Sequence, residues 1–188
     1  ISSWNMTLID LKKSITQKTK AVLMVHTYGL SAEAEEIEKF CMEKNIYLIE
    51  DASEAHGQTY NGRKCGSFGD VSTLSFYANK NITTGEGGML TCNNKHLADQ
   101  IEIMRLHGMS RDAWKRYWPK GIIPKKGLVW DHYDIKYVGL KYNMIDINAA
   151  LGIIQLCLIC SNELLGIPLI ITAFSNSVKY CFDSFQFS

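Results

Sequence analysis

Ala21-Val-Leu-Met-Val25 is an apolar run with no polar interruption, and it limits the fold more than any other stretch. A strand with one wet face alternates apolar and polar residues. An unbroken apolar run marks a strand covered on both faces, as in the parallel sheets of α/β domains. Ile46-Tyr-Leu-Ile49 is a second such strand, and Val71 to Tyr77 reads as a third strand, though not an unbroken apolar one. Gly88-Met-Leu-Thr-Cys92 is a fourth, after a glycine turn. Helical patterns cover Leu8 to Ile15, Ala32 to Lys44, Asn94 to Leu106 (Leu97, Ile101, Ile103 and Met104 apolar) and Met144 to Leu156 (Ile145, Ala149, Gly152 and Ile153 on one stripe). Ser31 stands where a side chain caps the second helix, and Glu33 and Glu35 place negative charge near its start. Strand–helix alternation predicts an α/β domain with a mainly parallel sheet and flanking helices.

Composition narrows the function classes. The chain has 188 residues, 46% hydrophobic and 21% charged, which suffices for one sizeable core. With 20 Lys+Arg against 19 Asp+Glu the net charge is +1, so there is no electrostatic footprint for nucleic acid or an anionic membrane. No signal-peptide pattern opens the chain. The apolar stretch Leu164 to Phe174 contains Pro168 and is too short to span a bilayer. Cys41, Cys65 and Cys92 lack metal-ligand spacing, and Cys157-x-x-Cys160 has no second pair or matching histidines. These read as thiols in a reducing cytosol, and a cytoplasmic location is expected. Trp114 to Tyr142, aromatic and basic with Pro119 and Pro124, reads as a long loop or flap. Cys157 to Ser188 has few charges and no clean period, and the chain opens on Ile1 rather than Met.

The chemistry concentrates around Lys80. It follows the third strand and precedes Gly85-Glu-Gly-Gly88. A lysine held on a short loop after a buried strand can be dehydrated and fixed in direction, as a Schiff-base amine requires. Asp51 follows the second strand, and ligands of α/β sheets bind beyond the carboxyl ends of strands. Its alternative role is a helix cap. A turn brings Glu54 to the same side; it could equally face solvent or act as a capping partner. Ser75 shares a strand face with Tyr77, where a hydroxyl can donate to a phosphate or simply satisfy itself locally. The glycines permit close backbone approach but lack the context of a dinucleotide fingerprint or a P-loop.

These blocks together resemble a family. Glu50-Asp-Ala-Ser-Glu-Ala-His-Gly57, Gly66-Ser-Phe-Gly-Asp70, Ser75-Phe-Tyr-Ala-Asn-Lys-Asn81 and Gly85-Glu-Gly-Gly88 are similar to the DegT/DnrJ/EryC1/StrS family of nucleotide-sugar aminotransferases, which depend on pyridoxal phosphate. Val25-His-Thr-Tyr-Gly29, Arg105-Leu-His-Gly108 and Tyr142-Asn-Met-Ile-Asp-Ile-Asn-Ala-Ala-Leu-Gly152 continue the likeness in the same order. Some wording resembles perosamine synthetases and some the aminoarabinose-type branch.

The resemblance implies the large domain of a fold-type I, aspartate aminotransferase-like enzyme. It implies that Lys80 links to pyridoxal 5'-phosphate and moves a proton, that Asp51 pairs with the pyridine nitrogen, and that Glu54, at a position often glutamine, contacts the ring hydroxyl. It implies that Ser75 binds the phosphate and that Asn143 reaches a neighbouring subunit's cofactor in a homodimer. His26, His56 and His107 match recurrent positions, each read as a packing or hydrogen-bonding histidine. The implied reaction moves an amino group, from glutamate, to a keto group of a nucleotide-linked deoxysugar. Two alternatives stand beside it: a non-catalytic truncated remnant, and a sugar dehydratase, which would replace the lysine that Lys80 supplies. Family members extend further at both ends, so residues 1–156 are expected to be a partial large domain and 157–188 a divergent tail.

Overall fold

The computed structural model describes residues 3–109 and 135–160. Among the described residues, six strands and four α-helices follow in chain order: α1 Leu8–Ser14, β1 Ala21–Val25, α2 Ala34–Lys44, β2 Tyr47–Asp51, β3 Thr59–Tyr60, β4 Arg63–Lys64, β5 Val71–Ser75, β6 Gly88–Thr91, α3 Lys95–Met104 and α4 Asp146–Cys160. The main sheet has the order β1-β2-β5-β6. β1 and β2 run parallel, as do β2 and β5, while β6 pairs antiparallel with β5. The expected α/β class with a mostly parallel sheet is what the chain adopts.

The described residues form two compact units, one up to Lys95 and from Met144 onward, the other His96–Asn143. In the first, Val22, Met24 and Leu48 from β1 and β2 pack with Leu11 of α1 and with Ala34, Ile37 and Cys41 of α2. Each large side chain buried this way contributes about 1.5–3 kcal/mol. A second cluster joins Ala52, Ala55, Leu74, Phe76 and Met89 to Ala149 and Leu156 of α4. In the second unit, the chain after α3 is tied back by Leu140 N–H to Met104 O at 2.9 Å and Tyr142 N–H to Arg105 O at 2.8 Å.

Several expectations need correction. β1 and β2 are expected to be covered on both faces, yet burial alternates along each, with Leu23 55% and Val25 40% exposed on β1 and Tyr47 70% exposed on β2. Among the described residues only the α1/α2 side of these two strands is covered. The second helix begins at Ala34, with Glu33 at its N-cap and no side-chain cap bond. Ser31 instead donates its hydroxyl to Ala32 O. The third strand ends at Ser75, two residues before Tyr77: Phe76 N–H still meets Gly87 O, but Phe76 O turns to the Thr84 N–H of the following loop, and Tyr77 is 49% exposed. Ile145 precedes α4 and is 59% exposed, so it is not part of that helix's buried stripe. α4 itself continues to Cys160, past the boundary expected at residue 156. Most of the expected loop or flap, and the tail beyond Cys160, lie outside the described residues.

The β3–β4 hairpin has no counterpart in the sequence reading, although Asn61-Gly62 between Tyr60 and Arg63 is a strong signal for one. Both turn residues take positive φ, 48° and 84°, as such a turn requires. The hairpin grips the acidic side of α2: Tyr60 Oη donates to Glu36 at 2.8 Å, Asn61 Nδ2 to Glu35 at 3.0 Å, and Arg63 to both oxygens of Glu38. Among the described residues, no helix is long and apolar enough to cross a membrane.

Candidate active site

β2 and β5 lie side by side, with Glu50 opposite Ser72 and Asp51 opposite Thr73. Side chains of a strand alternate between faces. Glu50 and Ser72 therefore point to one face, and Asp51, Thr73 and Ser75 to the other. The alternation separates a structural carboxylate from the candidate cofactor residues.

On the first face, Glu50 and His26 are both fully buried. Glu50 Oε1 accepts from His26 Nε2 at 2.8 Å and from Gly66 N–H at 2.5 Å. Oε2 accepts from Phe68 N–H at 2.8 Å, Gly69 N–H at 3.0 Å and Ser72 Oγ at 2.7 Å. Burial raises the Glu50 pKa, but the bonds from His26, Gly66, Ser72 and Gly69 outweigh it and hold the carboxyl below its usual range. Gly69 is required here, since a Cβ would stand 2.6 Å from Val71 O and 2.9 Å from Glu50 Cβ. Burial opposes a charge on His26, but Cys65 and Glu50 favour one strongly enough to raise its pKa to about 9; the hydrogen bond at Nδ1 argues the other way. A protonated ring would set Nδ1–H against the Ala32 N–H, 3.1 Å away. We therefore assign the neutral ring, with Nε2–H donated to Glu50.

On the other face, Asp51 Oδ1 accepts from Ser53 N–H at 3.0 Å and Thr73 Oγ1 at 3.2 Å. Oδ2 has no hydrogen bond among the described residues. No helix follows Asp51, so the cap it forms is a turn cap and not a helix cap. Burial raises its pKa, but the Ser53 and Thr73 bonds and the charge of Lys80 bring it below the ordinary carboxylate value. Asp51 is ionised at neutral pH.

Lys80 sits on the loop after β5, closed by Lys80 N–H to Tyr77 O at 3.0 Å and Thr84 N–H to Phe76 O at 2.9 Å. The loop is clamped to α4, where Gln155 donates to Thr83 O at 2.6 Å and accepts Thr83 N–H at 3.0 Å. Lys80 Nζ lies 3.3 Å from Glu54 Oε1, with the lysine side chain 16% exposed. Glu54 Oε2 accepts the Tyr28 N–H at 2.9 Å. Tyr28 holds a positive φ of 54°, uncommon outside glycine, and the next residue, Gly29, approaches the Glu54 backbone closely. The Tyr28 N–H first, and then Lys80, hold the Glu54 carboxyl below its usual range.

Lys80, Glu54, His56, Ser53, Tyr28 and Asn79 line a cavity of about 200 Å³. A larger one, about 620 Å³, is bounded by Glu38, Arg63, Phe68 and Asn93 and holds none of the candidate residues. Burial, and then the charge of Lys80, push the His56 pKa below its ordinary value.

The structure thus brings Lys80 and Glu54 into direct contact, with Asp51 near enough to feel the lysine charge. Ser75 closes β5, and its Oγ accepts the Tyr77 N–H at 3.2 Å. Asn143 belongs to the second unit, and its buried side-chain oxygen has no partner among the described residues. Of the histidines read as packing or hydrogen-bonding residues, His26 is hydrogen-bonded, and His56 has a ring packing contact and no hydrogen bond among the described residues. Sequence reasoning assigned no role to Glu50; its signal was a carboxylate directly continuing an apolar strand. An amine, an ionised carboxylate and hydroxyls at the carboxyl ends of parallel strands can hold and activate a carbonyl-bearing anion.

The spore coat polysaccharide biosynthesis protein SpsC of Bacillus subtilis is 42% identical over 152 residues, covering 81% of this chain and 37% of its own length. The GDP-perosamine synthase of Vibrio cholerae is 40% identical over 154 residues, covering 82% of this chain and 37% of its own. An aminotransferase from Psychrobacter cryohalolentis superposes with a TM-score of 0.71 at 33% identity, covering 84% of this chain and 38% of that one. The chain spans somewhat over a third of the length of the relatives it matches. Residues 1–161 match the DegT/DnrJ/EryC1/StrS aminotransferase family, and the chain belongs to that family.

Proposed function

We propose that this chain is the cofactor-bearing part of a pyridoxal phosphate-dependent aminotransferase that acts on a nucleotide-linked keto-deoxysugar, with an amino acid, glutamate, as donor. The observation that carries the reading is Lys80 Nζ on a braced loop, 3.3 Å from Glu54 and next to ionised Asp51. The donor set fits the cofactor. An amine suits its aldehyde, a carboxylate with an unused oxygen suits its ring nitrogen, and a hydroxyl at Ser75 suits its phosphate.

When bound, pyridoxal phosphate supplies an electron sink for the carbon whose proton is removed. The chain does the rest. Lys80 Nζ would hold the cofactor through its aldehyde carbon, with loss of water, and, once displaced by the donor amine, would carry a proton as general acid and base. Asp51 keeps the ring nitrogen protonated by its negative charge. Glu54, anchored by Tyr28 N–H, meets the ring hydroxyl. Asn143 serves the cofactor of a partner subunit in a homodimer. Residues 1–156 act as part of the large domain, and the buried thiols Cys41, Cys65 and Cys92 suit a reducing cytoplasm.

The test is direct. The protein is incubated with pyridoxal phosphate and reduced with borohydride, and the modified peptide is mapped. Modification at Lys80 is expected. Labelling elsewhere with Lys80 free, or no labelling, rejects the reading.

A further inference from the structure

His56 has no assigned part in the chemistry above, and its surroundings are unusual. Both ring nitrogens are shut off from solvent, and neither has a hydrogen-bond partner among the described residues. The ring is held by packing: it meets Phe76 edge-on, with centroids 6.0 Å apart and planes at 69°. The ring is only half-buried, but its covered nitrogens have given up their bonds to water and gained none in return. The same ring borders the cavity that contains Lys80 and Glu54. Burial and the nearby lysine charge keep it neutral, so it retains one N–H to donate.

We propose that His56 is a binding residue of this cavity, donating its ring N–H to an oxygen of the ligand that Lys80 carries. The proposal rests on the reading of Lys80 as the cofactor lysine. Because the nitrogens are covered in the free chain, engagement needs the ring to turn about χ2, a torsion with a broad well. Pyridoxal phosphate offers two kinds of acceptor oxygen, on the ring hydroxyl and on the phosphate.

The whole chain, as wild type, His56→Leu and His56→Gln, is titrated with pyridoxal phosphate and with pyridoxal by absorbance. The same proteins are melted without ligand. His56→Leu removes an unpaired polar group, so it is expected to melt at the wild-type temperature or higher. It is nevertheless expected to bind pyridoxal phosphate about tenfold more weakly, a loss typical of one hydrogen bond. His56→Gln keeps an N–H donor and should recover most of the affinity. Weakening for both ligands assigns the ring hydroxyl as acceptor, and weakening for pyridoxal phosphate alone assigns the phosphate. Unchanged affinity in His56→Leu overturns the proposal, and so does a lower melting temperature, which would reveal a structural ring with internal partners. If wild type shows no modification at Lys80, the cofactor reading itself has failed. Modification at Lys80 with unchanged His56→Leu affinity removes this proposal alone.

Discussion

Glu54 Oε1 and Lys80 Nζ, 26 positions apart in sequence, lie 3.3 Å apart at the mouth of one cavity. The glutamate is 41% exposed, so the pair is screened by salt and adds little to folding. Its consequence is for the amine, which stays under a carboxylate until the pair opens. Glu54→Ala is expected to leave the melting temperature unchanged and to speed acylation of Lys80 by an amine-reactive reagent relative to the other lysines. Raising the salt concentration should shrink that difference. Peptide mapping by mass spectrometry reads both effects, and equal acylation in the two proteins at low salt would show that the contact does not restrain the amine.

Asp51 makes the second prediction. Its unused Oδ2 and its lowered pKa suit it to hold a positive charge on the cofactor ring. Asp51→Asn, grafted with this segment into a full-length relative, is expected to keep covalent cofactor and lose turnover on the order of 100-fold, the scale for removing one preorganised electrostatic group. Turnover within a few-fold of the parent would restrict Asp51 to capping the turn through Ser53.

The third prediction concerns the fully buried Glu50. Glu50→Ala strands His26, Ser72 and three backbone N–H groups; with an unsatisfied buried donor costing about 1–3 kcal/mol, it should destabilise the fold by about 3 kcal/mol or more in urea unfolding. The folded carboxyl titrates below its ordinary value of 4.5. Its stabilisation is therefore fully present above that value and is lost as the pH falls toward the lower folded pKa. Glu50→Gln should be less stable than wild type at neutral pH and should show a flatter loss of stability on acidification. Parallel acid limbs for the two proteins would remove Glu50 from the pH dependence.

The apolar runs at Ala21 and Ile46 and the strand pattern at Val71, separated by turn residues or a helical pattern, were enough to define the parallel strands and the α/β class, because strand–helix alternation leaves few arrangements. The motif blocks were enough to reveal the family and to single out Lys80 and Asp51. Other features depended on long-range geometry. The direction of β6 follows from the path of the loop clamped by Gln155, 72 positions from its partner Thr83, which no local pattern encodes. The bare face of β1 was not legible either, since the same five residues suit a strand covered on one side or two. Glu50 read as an ordinary strand end; its role exists only because five donors converge on it from β1, β5 and the loop between β4 and β5. Likewise, Glu54 and His56 stand two residues apart, yet one meets Lys80 and the other faces Phe76 without a hydrogen bond. Sequence determines which chemical groups are available. Tertiary packing decides which are paired and which remain open to a ligand, because a hydrogen bond depends on distances of a few ångströms set by the whole fold.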